Sequence, residues 1–392
     1  MPGCCDPIEM RVYKSISQTN QSAWQKLRKS NQILTDAAYL KAVEQSEVID
    51  CEYRYFEFYD DKKLICSMAG YVFDQDLLDD IPKGIANVLF PIRKAFPPFL
   101  KVKTLIIGTP ISIGQTLLIA SSISADKISN LLTKLIDYGK NQHIELILMR
   151  DFRGEKDNLE QAIDQVGFEC LSNYPLAVMP VPWHSFDAYL SAMKSRYRYD
   201  ARRRFKQKDN HTIQTQILND ESALDDLKSY QLLYEKVLQQ SNDYPHEFIK
   251  SDYHQAMWNN LGNRSYWLQY FHEEQMVAFI HFIQAGKRVI AQYIGLDYQV
   301  SESAQLYFNA LYDLIRFAIE HNIEMIEAGV TTYQAKSSVG FSIIPQRMYL
   351  WHKRILIRKL AQWLAPDLSS KEKDKCHTIF KDKTLQSIPY EV

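Results

Sequence analysis

A chain of 392 residues, 46% of them hydrophobic and with a formal net charge of -1, has material for two or three cores and is neither a disordered nor a fibrous polymer. The balanced charge names no partner. Six cysteines (Cys4, Cys5, Cys51, Cys66, Cys170 and Cys376) lack paired metal-ligand spacing, and there is no signal-peptide core or apolar run of about 18 residues; we expect a cytoplasmic protein with reduced thiols, no metal and no integral membrane segment. The adjacent Cys4-Cys5 reads as part of a frayed terminus, because neither a basic nor a histidine context supports acylation or metal binding there.

Two stretches of the chain echo each other in the same order. Thr35 to Gln45 resembles Lys250 to Leu261, and the hairpin Tyr55 to Tyr71 resembles Leu268 to Gln284, each with two acidic residues at its turn. Leu105-Ile-Ile-Gly108 echoes Gln292-Tyr-Ile-Gly295; the helix Ile128 to Asn141 before Ile144-Glu145 echoes Leu306 to Asn322 before Ile323-Glu324; Gly167-Phe168 echoes Gly340-Phe341. The offset shrinks from 214 (Tyr39 to Tyr253) to 173 (Gly167 to Gly340), which asks for an insertion in the first copy, about residues 74–101 with Pro82, Pro91, Pro97 and Pro98. That insertion is too short and proline-rich for a helical arm.

Between the copies, Lys194 to Lys208 carries eight basic residues against one acidic, and Leu190, Met193, Tyr197, Ala201 and Phe205 step by three and four. We expect one helix from about Ser185 with a single apolar stripe. Arg196, Arg198, Arg202 and Arg203 are candidate phosphate-binding residues, since guanidinium forks bind phosphate bidentately and stay charged; a solvated helix between domains is the structural alternative. No RNA-binding signature accompanies them.

The second copy reads most clearly. Tyr266 to Phe271, Met276 to Gln284 and Val289 to Ile294 predict a three-stranded meander; Ser301, Glu302 and Ser303 supply cap chemistry for a helix ending near His321-Asn322; a short strand, Ile323 to Ala328, a brief helical segment and a last strand ending near Trp351 follow. His281 falls on a predicted strand and reads as a satisfied, half-buried side chain. Phosphate-cradling glycine loops, a nucleophile elbow and His-Glu-x-x-His are absent. The run His352 to Leu364 alternates aliphatic and basic residues; packing on the second domain is the preferred reading, and peripheral membrane contact through 352–364 the other.

The order β-β-β-α-β-α-β, the polar-turned hairpin and Tyr333-x-x-Lys336-x-x-Val-Gly340-Phe341 resemble the GNAT acyltransferase superfamily, specifically its FemAB-like branch of tandem GNAT domains, over roughly Val12 to Trp351. That branch has an arginine-rich helix between its halves and a late Lys-x-x-Phe-Gly element, which this chain matches at Lys336 and Gly340 while carrying Val339 for the phenylalanine. The resemblance implies an α/β (α+β) fold of tandem GNAT-like domains, each a mixed, largely antiparallel sheet flanked by helices: a degenerate domain over 1–181 and the basic helix with a second domain over 182–365; Pro366 and the polar residues after it predict a mobile tail over 366–392.

It further implies an N-acyltransferase in which an amine attacks an acyl-CoA as co-substrate, or an aminoacyl-tRNA or acyl carrier in its place, with a small-molecule or peptide amine as acceptor and tRNA as a candidate partner. By the same resemblance Glu327 would be the general base or acceptor contact, Tyr333 the leaving-group acid, and Lys336 the contact to donor phosphate or oxyanion. Tyr293 and Gly295, on the bulged strand, and Gln299 and Ser303, in the loop before the long helix, would hold the cofactor. Glu302 stands there in place of a glycine, where its carboxylate would repel pyrophosphate. The alternative is a non-catalytic GNAT-like protein that binds an anionic partner, a nucleotide, RNA or phospholipid, through the basic helix.

Overall fold

The computed structural model describes residues 8–29, 32–76, 83–121, 123–240, 249–364 and 376–386; Cys4 and Cys5 lie outside them. In the first half, strands β1 (Glu9–Tyr13), β2 (Glu52–Asp60), β3 (Lys63–Asp76), β4 (Lys101–Ile107), β5 (Leu117–Ile119), β6 (Leu146–Phe152) and β7 (Glu169–Pro180) alternate with helices α1 (Gln21–Leu27), α2 (Ala37–Gln45), α3 (Lys83–Ala95), α4 (Ala125–Asn141) and α5 (Asn158–Gln165). Helices α6 (Phe186–Ala192) and α7 (Ser195–Asn210) then lead to β8 (Gln214–Leu218), α8 (Leu227–Gln240), α9 (Ser251–Leu261), β9 (Ser265–His272), β10 (Gln275–Ala285) and β11 (Arg288–Leu296). The second half closes with α10 (Tyr298–Ser301), α11 (Leu306–Glu320), β12 (Met325–Glu327), α12 (Tyr333–Ser337), β13 (Ser342–His352) and α13 (Ile355–Leu364).

All of these strands join one sheet in the order β1-β2-β3-β4-β6-β13-β7-β12-β11-β10-β9-β8, with β5 paired to β3 off that path. The two halves mirror each other across its middle. Each half contributes five strands in sequence, but its last strand crosses over: β13 pairs with β6 of the first half, β7 pairs with β12 of the second, and the two exchanged strands pair with each other. Among the described residues, only β4–β6 and β11–β12 are parallel, as the helical crossovers α4 and α11 require. The duplicated sequence therefore builds two similar units that share a single sheet.

Three features differ from the sequence expectation. The basic helix does not run unbroken from Ser185: it breaks at Met193-Lys194, where the Lys194 amide donates to the Ile379 carbonyl (2.8 Å) and the Lys381 amide to Ala192 (2.9 Å). That pairing also ties down part of the expected mobile tail, for Ile379 and Phe380 are buried in the second core; residues 366–375 and 387–392 lie outside the described residues. The proline-rich insertion forms helix α3 straight through Pro91, which leaves the carbonyl of exposed Asn87 to solvent.

The core under β9 and β10 holds two buried imidazoles. His281 Nδ1 lies 2.7 Å from the Tyr253 hydroxyl and its Nε2 lies 2.7 Å from Ser265 Oγ; the Trp267 indole donates to His254 Nδ1 (2.9 Å), and His254 Nε2 has no hydrogen-bond partner among the described residues. Burial pushes His254 down to about 3 and His281 well below 6.5. The unfolded chain takes up two protons near pH 6.5 that the folded one refuses, so their stabilising effect is complete above pH 6.5 and is lost as pH falls, at about 1.4 kcal/mol per pH unit for each ring. Urea midpoints between pH 7 and 5 should fall accordingly, and H281Q should halve this two-histidine contribution to the slope.

Candidate functional site

The sheet opens beside β12. Strands β11 and β12 pair only from Arg288 with Met325 to Ile290 with Glu327, while β11 continues along β10 to Leu296. In that free stretch His281 faces Tyr293 and Phe282 faces Ala291, which leaves Gln292 as the extra residue of a bulge. Gln292 Oε1 accepts from Ser112 Oγ (2.7 Å), and its Nε2 is buried without a hydrogen-bond partner among the described residues. Ser112 in turn accepts from the Tyr39 hydroxyl, so the 108–116 loop of the first half lies against the opening.

Lys336 stands just past the end of β12. Gly329 follows β12 with a φ of +74°, a left-handed conformation that suits glycine, and its carbonyl accepts from Ala177 of β7 (3.0 Å). The chain re-enters helix at α12, whose Lys336 amide donates to Thr332 (3.1 Å). The Lys336 ammonium comes to 3.9 Å from where a Cβ on Gly329 would sit. Lys336 is buried and has no hydrogen bond or ion pair from its ammonium among the described residues; burial pushes it from 10.5 down to about 7. An unpaired ammonium with that poise, at a break in a sheet, can donate to charge that develops on a substrate oxygen.

The other two residues expected to act there have committed partners. The Glu327 carboxylate meets Arg288 Nη1 at 2.7 Å and Arg153 Nη2 at 3.2 Å, one arginine from each half, and is itself buried. The Tyr333 hydroxyl donates to the Pro175 carbonyl of β7 (2.8 Å). Both geometries anchor Lys336's surroundings: Glu327 locks β12 to β11 and to the Arg153 loop, and Tyr333 ties α12 to β7.

The basic helix reaches this site through its neighbours. The His377 amide donates to Ser337 Oγ (3.1 Å), and His377 Nδ1 lies 3.4 Å from the Tyr197 hydroxyl at the start of α7. Further along, Arg204 stacks 3.6 Å from the Phe308 ring centroid and donates to the Tyr312 hydroxyl (3.3 Å), which pins α7 on α11. Arg196, Arg202 and Arg203 are exposed, Arg203 with Asp200 3.4 Å away, whereas half-buried Arg198 donates to the Met193 carbonyl (3.4 Å).

The residues expected to hold a cofactor are differently placed. Tyr293 packs edge-on against Tyr234 and Tyr253, with its hydroxyl toward the Ile111 carbonyl (3.4 Å). Gly295 is small for packing: a Cβ there would sit 2.7 Å from Leu233 Cβ and closer still to Phe279 Cε1. Gly295→Ala is expected to destabilise the fold by about 1–3 kcal/mol, read as a lower urea midpoint at unchanged slope. Gln299 and Ser303 are exposed in the turn where a pyrophosphate loop would lie, but Asp297 caps that turn through the Gln299 amide (3.1 Å) and pairs with Lys236 (2.6 Å), and exposed Glu302 ends it. Two carboxylates thus flank the entry to α11, and a helical turn occupies it.

Arg153, Arg288, Gln292 and Ser112 were not legible as site residues. Arg153 and Arg288 belong to different copies and sit in no motif, and Gln292 matters only because the bulge aims it inward.

Comparison with known proteins bears on the whole arrangement. A family model described as FemAB-like, peptidoglycan biosynthesis/recognition, matches residues 15–386. The crystal structure of FemX superposes with a TM-score of 0.57 at 11% identity, covering 91% of this chain and 100% of that one. A tandem GNAT protein from the clavulanic acid biosynthesis pathway gives 0.52 at 8% identity, covering 88% and 98%. These likenesses show the fold as tandem GNAT. No curated protein matches by sequence.

Proposed function

This chain belongs to the FemAB-like family and is a transferase, and from that premise we propose that it passes an aminoacyl group from an ester-linked aminoacyl-tRNA to the amine of a peptide acceptor in cell-wall precursor synthesis. The observation that carries the reading is buried Lys336, whose ammonium makes no hydrogen bond or ion pair among the described residues and stands beside Gly329 just past the end of β12. A neutral amine attacks the ester carbonyl, the carbonyl oxygen becomes an oxyanion, and the Lys336 ammonium donates to it as the charge develops. Collapse re-forms the carbonyl, breaks the bond to the ribose oxygen and sends the amine's proton to that leaving oxygen. Glu327 and Tyr333 act as positioning residues that hold the two strands and the helix around the ammonium.

The choice of donor follows from charge. Carboxylates of Asp297 and Glu302 flank the place where a GNAT domain would cradle the pyrophosphate of acyl-CoA, whereas Arg196, Arg202 and Arg203 present a cationic face suited to an extended phosphate backbone. The test is transfer of radiolabelled amino acid from charged tRNA to a lysine-containing peptide, with radiolabelled acetyl-CoA as the competing donor. Transfer from tRNA should dominate and weaken with salt, and R202A/R203A should reduce the salt slope by about one for each phosphate no longer neutralised. Transfer from acetyl-CoA that uncharged tRNA fails to inhibit would overturn the donor assignment.

A further inference from the structure

Two helices at one end of the sheet expose aliphatic side chains to solvent. Helix α13 is held by its cations: Arg358 donates to the Gly167 carbonyl (2.7 Å) and the His352 carbonyl (2.6 Å), and Lys359 pairs with Glu169 (2.6 Å). Of the aliphatic residues expected to pack on the second domain, Ile355 and Leu356 are 61% and 81% exposed, as is neighbouring Ile357 at 40%, while the side chains of Leu360, Trp363 and Leu364 lie outside the described residues. Helix α3 repeats the arrangement. Arg93 donates to the Phe99 carbonyl (2.6 Å) and to Asp76 (2.7 Å), while Val88, Phe90, Ile92 and Phe96 are 47–73% exposed.

Strand register brings the two helices together. Asp76 at the end of β3 pairs with Lys101 at the start of β4, Thr104 of β4 with Leu146 of β6, and Leu146 with His352 at the end of β13. The roots of α3 and α13 therefore stand at the same sheet end, three strand spacings or about 15 Å apart. Between them lies a hollow lined by Lys140, His143, Ile144, Glu145 and Lys353, with Glu145 paired to Lys353. Around it, Lys94, Lys101, Lys103 and Arg354 make no ion pair among the described residues.

We propose that this end of the sheet docks on an anionic lipid bilayer, with α3 and the first turn of α13 dipping into the interface and the intervening cations on the headgroups. Two observations select a membrane over a protein partner. Val88 and Ile92 share one face of α3, with Phe96 just past its end, but Phe90 lies about 200° around the helix from Val88; apolar side chains on opposite faces suit an enveloping medium better than a single complementary surface. Cations without ion pairs beside exposed aliphatics are also the pattern that interfacial helices use on acidic lipids. No helix among the described residues is long and apolar enough to cross a membrane, so the contact is peripheral.

Co-sedimentation of the full chain with phosphatidylcholine vesicles, with and without phosphatidylglycerol, tests this. Binding should be at least tenfold tighter with phosphatidylglycerol and should weaken in salt, and F90E and L356E should each cost about tenfold or more. Both sites are exposed, so thermal melts of the variants should match wild type; L232E, at the exposed Leu232 of α8, should bind vesicles normally. K336M should also bind normally, which separates this surface from the transfer chemistry. Failure of wild type to bind acidic vesicles, equal binding by F90E and L356E, or a dimer in sizing chromatography that these substitutions dissolve would overturn the proposal.

Discussion

Lys336→Met is expected to lower the rate of transfer by about 10²–10³-fold, the usual effect of losing a donor to a developing oxyanion, while raising the melting temperature. The two changes have one cause. Burial moves this ammonium from 10.5 to about 7, and at about 1.4 kcal/mol per pH unit its charge is held in the fold at a cost on the order of several kcal/mol. Because the folded state releases the proton more readily than the unfolded chain, wild-type stability should rise as pH climbs from about 7 to 10.5, where the penalty disappears. The gap in melting temperature between K336M and wild type should accordingly be widest at pH 7 or below and close toward pH 10. Calorimetry at several pH values with a single-turnover transfer assay checks both halves. Full activity in K336M would remove Lys336 from the chemistry, and a lowered melting temperature would show that the ammonium has a stabilising partner.

Glu327→Gln is expected to destabilise the protein by about 3–5 kcal/mol, the penalty for stripping one member from a buried ionic group. Its carboxylate is 3% exposed, and Arg153 and Arg288 are 15% and 17% exposed. Removing the carboxylate leaves two guanidinium groups facing each other with no counter-charge at the junction of the halves. A chemical-denaturation midpoint reads the loss directly. The comparison also separates two roles: a general base would lose turnover with its stability intact, whereas a positioning residue loses stability first and recovers transfer when the protein is kept folded at low temperature.

Much of the second half was legible because its signals are local. Aromatic and β-branched runs separated by polar turns made β9, β10 and β11; the periodic run from Leu306 made α11; and α12 is the brief helical segment expected after the short strand. Lys336 was singled out by its motif, and its poise comes from burial, which no spacing reveals. Gly295 shows the opposite case. The resemblance assigned it to a cofactor, but the contact that demands a glycine is Phe279 from the neighbouring strand. The unbroken basic helix failed for a similar reason: nothing near Met193 disfavours helix, and the break comes from residues 379 and 381, far along the chain, which take its backbone hydrogen bonds.

What the amino-acid order determined by itself was the alternation of elements, their duplication and the clustering of arginine between the copies, since each depends on propensity and periodicity within a few residues. Tertiary structure alone decided which strands are neighbours. β7 and β13 are each the last strand of their half, and their exchange depends on the hydrogen-bonding edges that β6 and β12 offer once both halves are in place. It is that exchange that brings Arg153 of one copy onto Glu327 of the other.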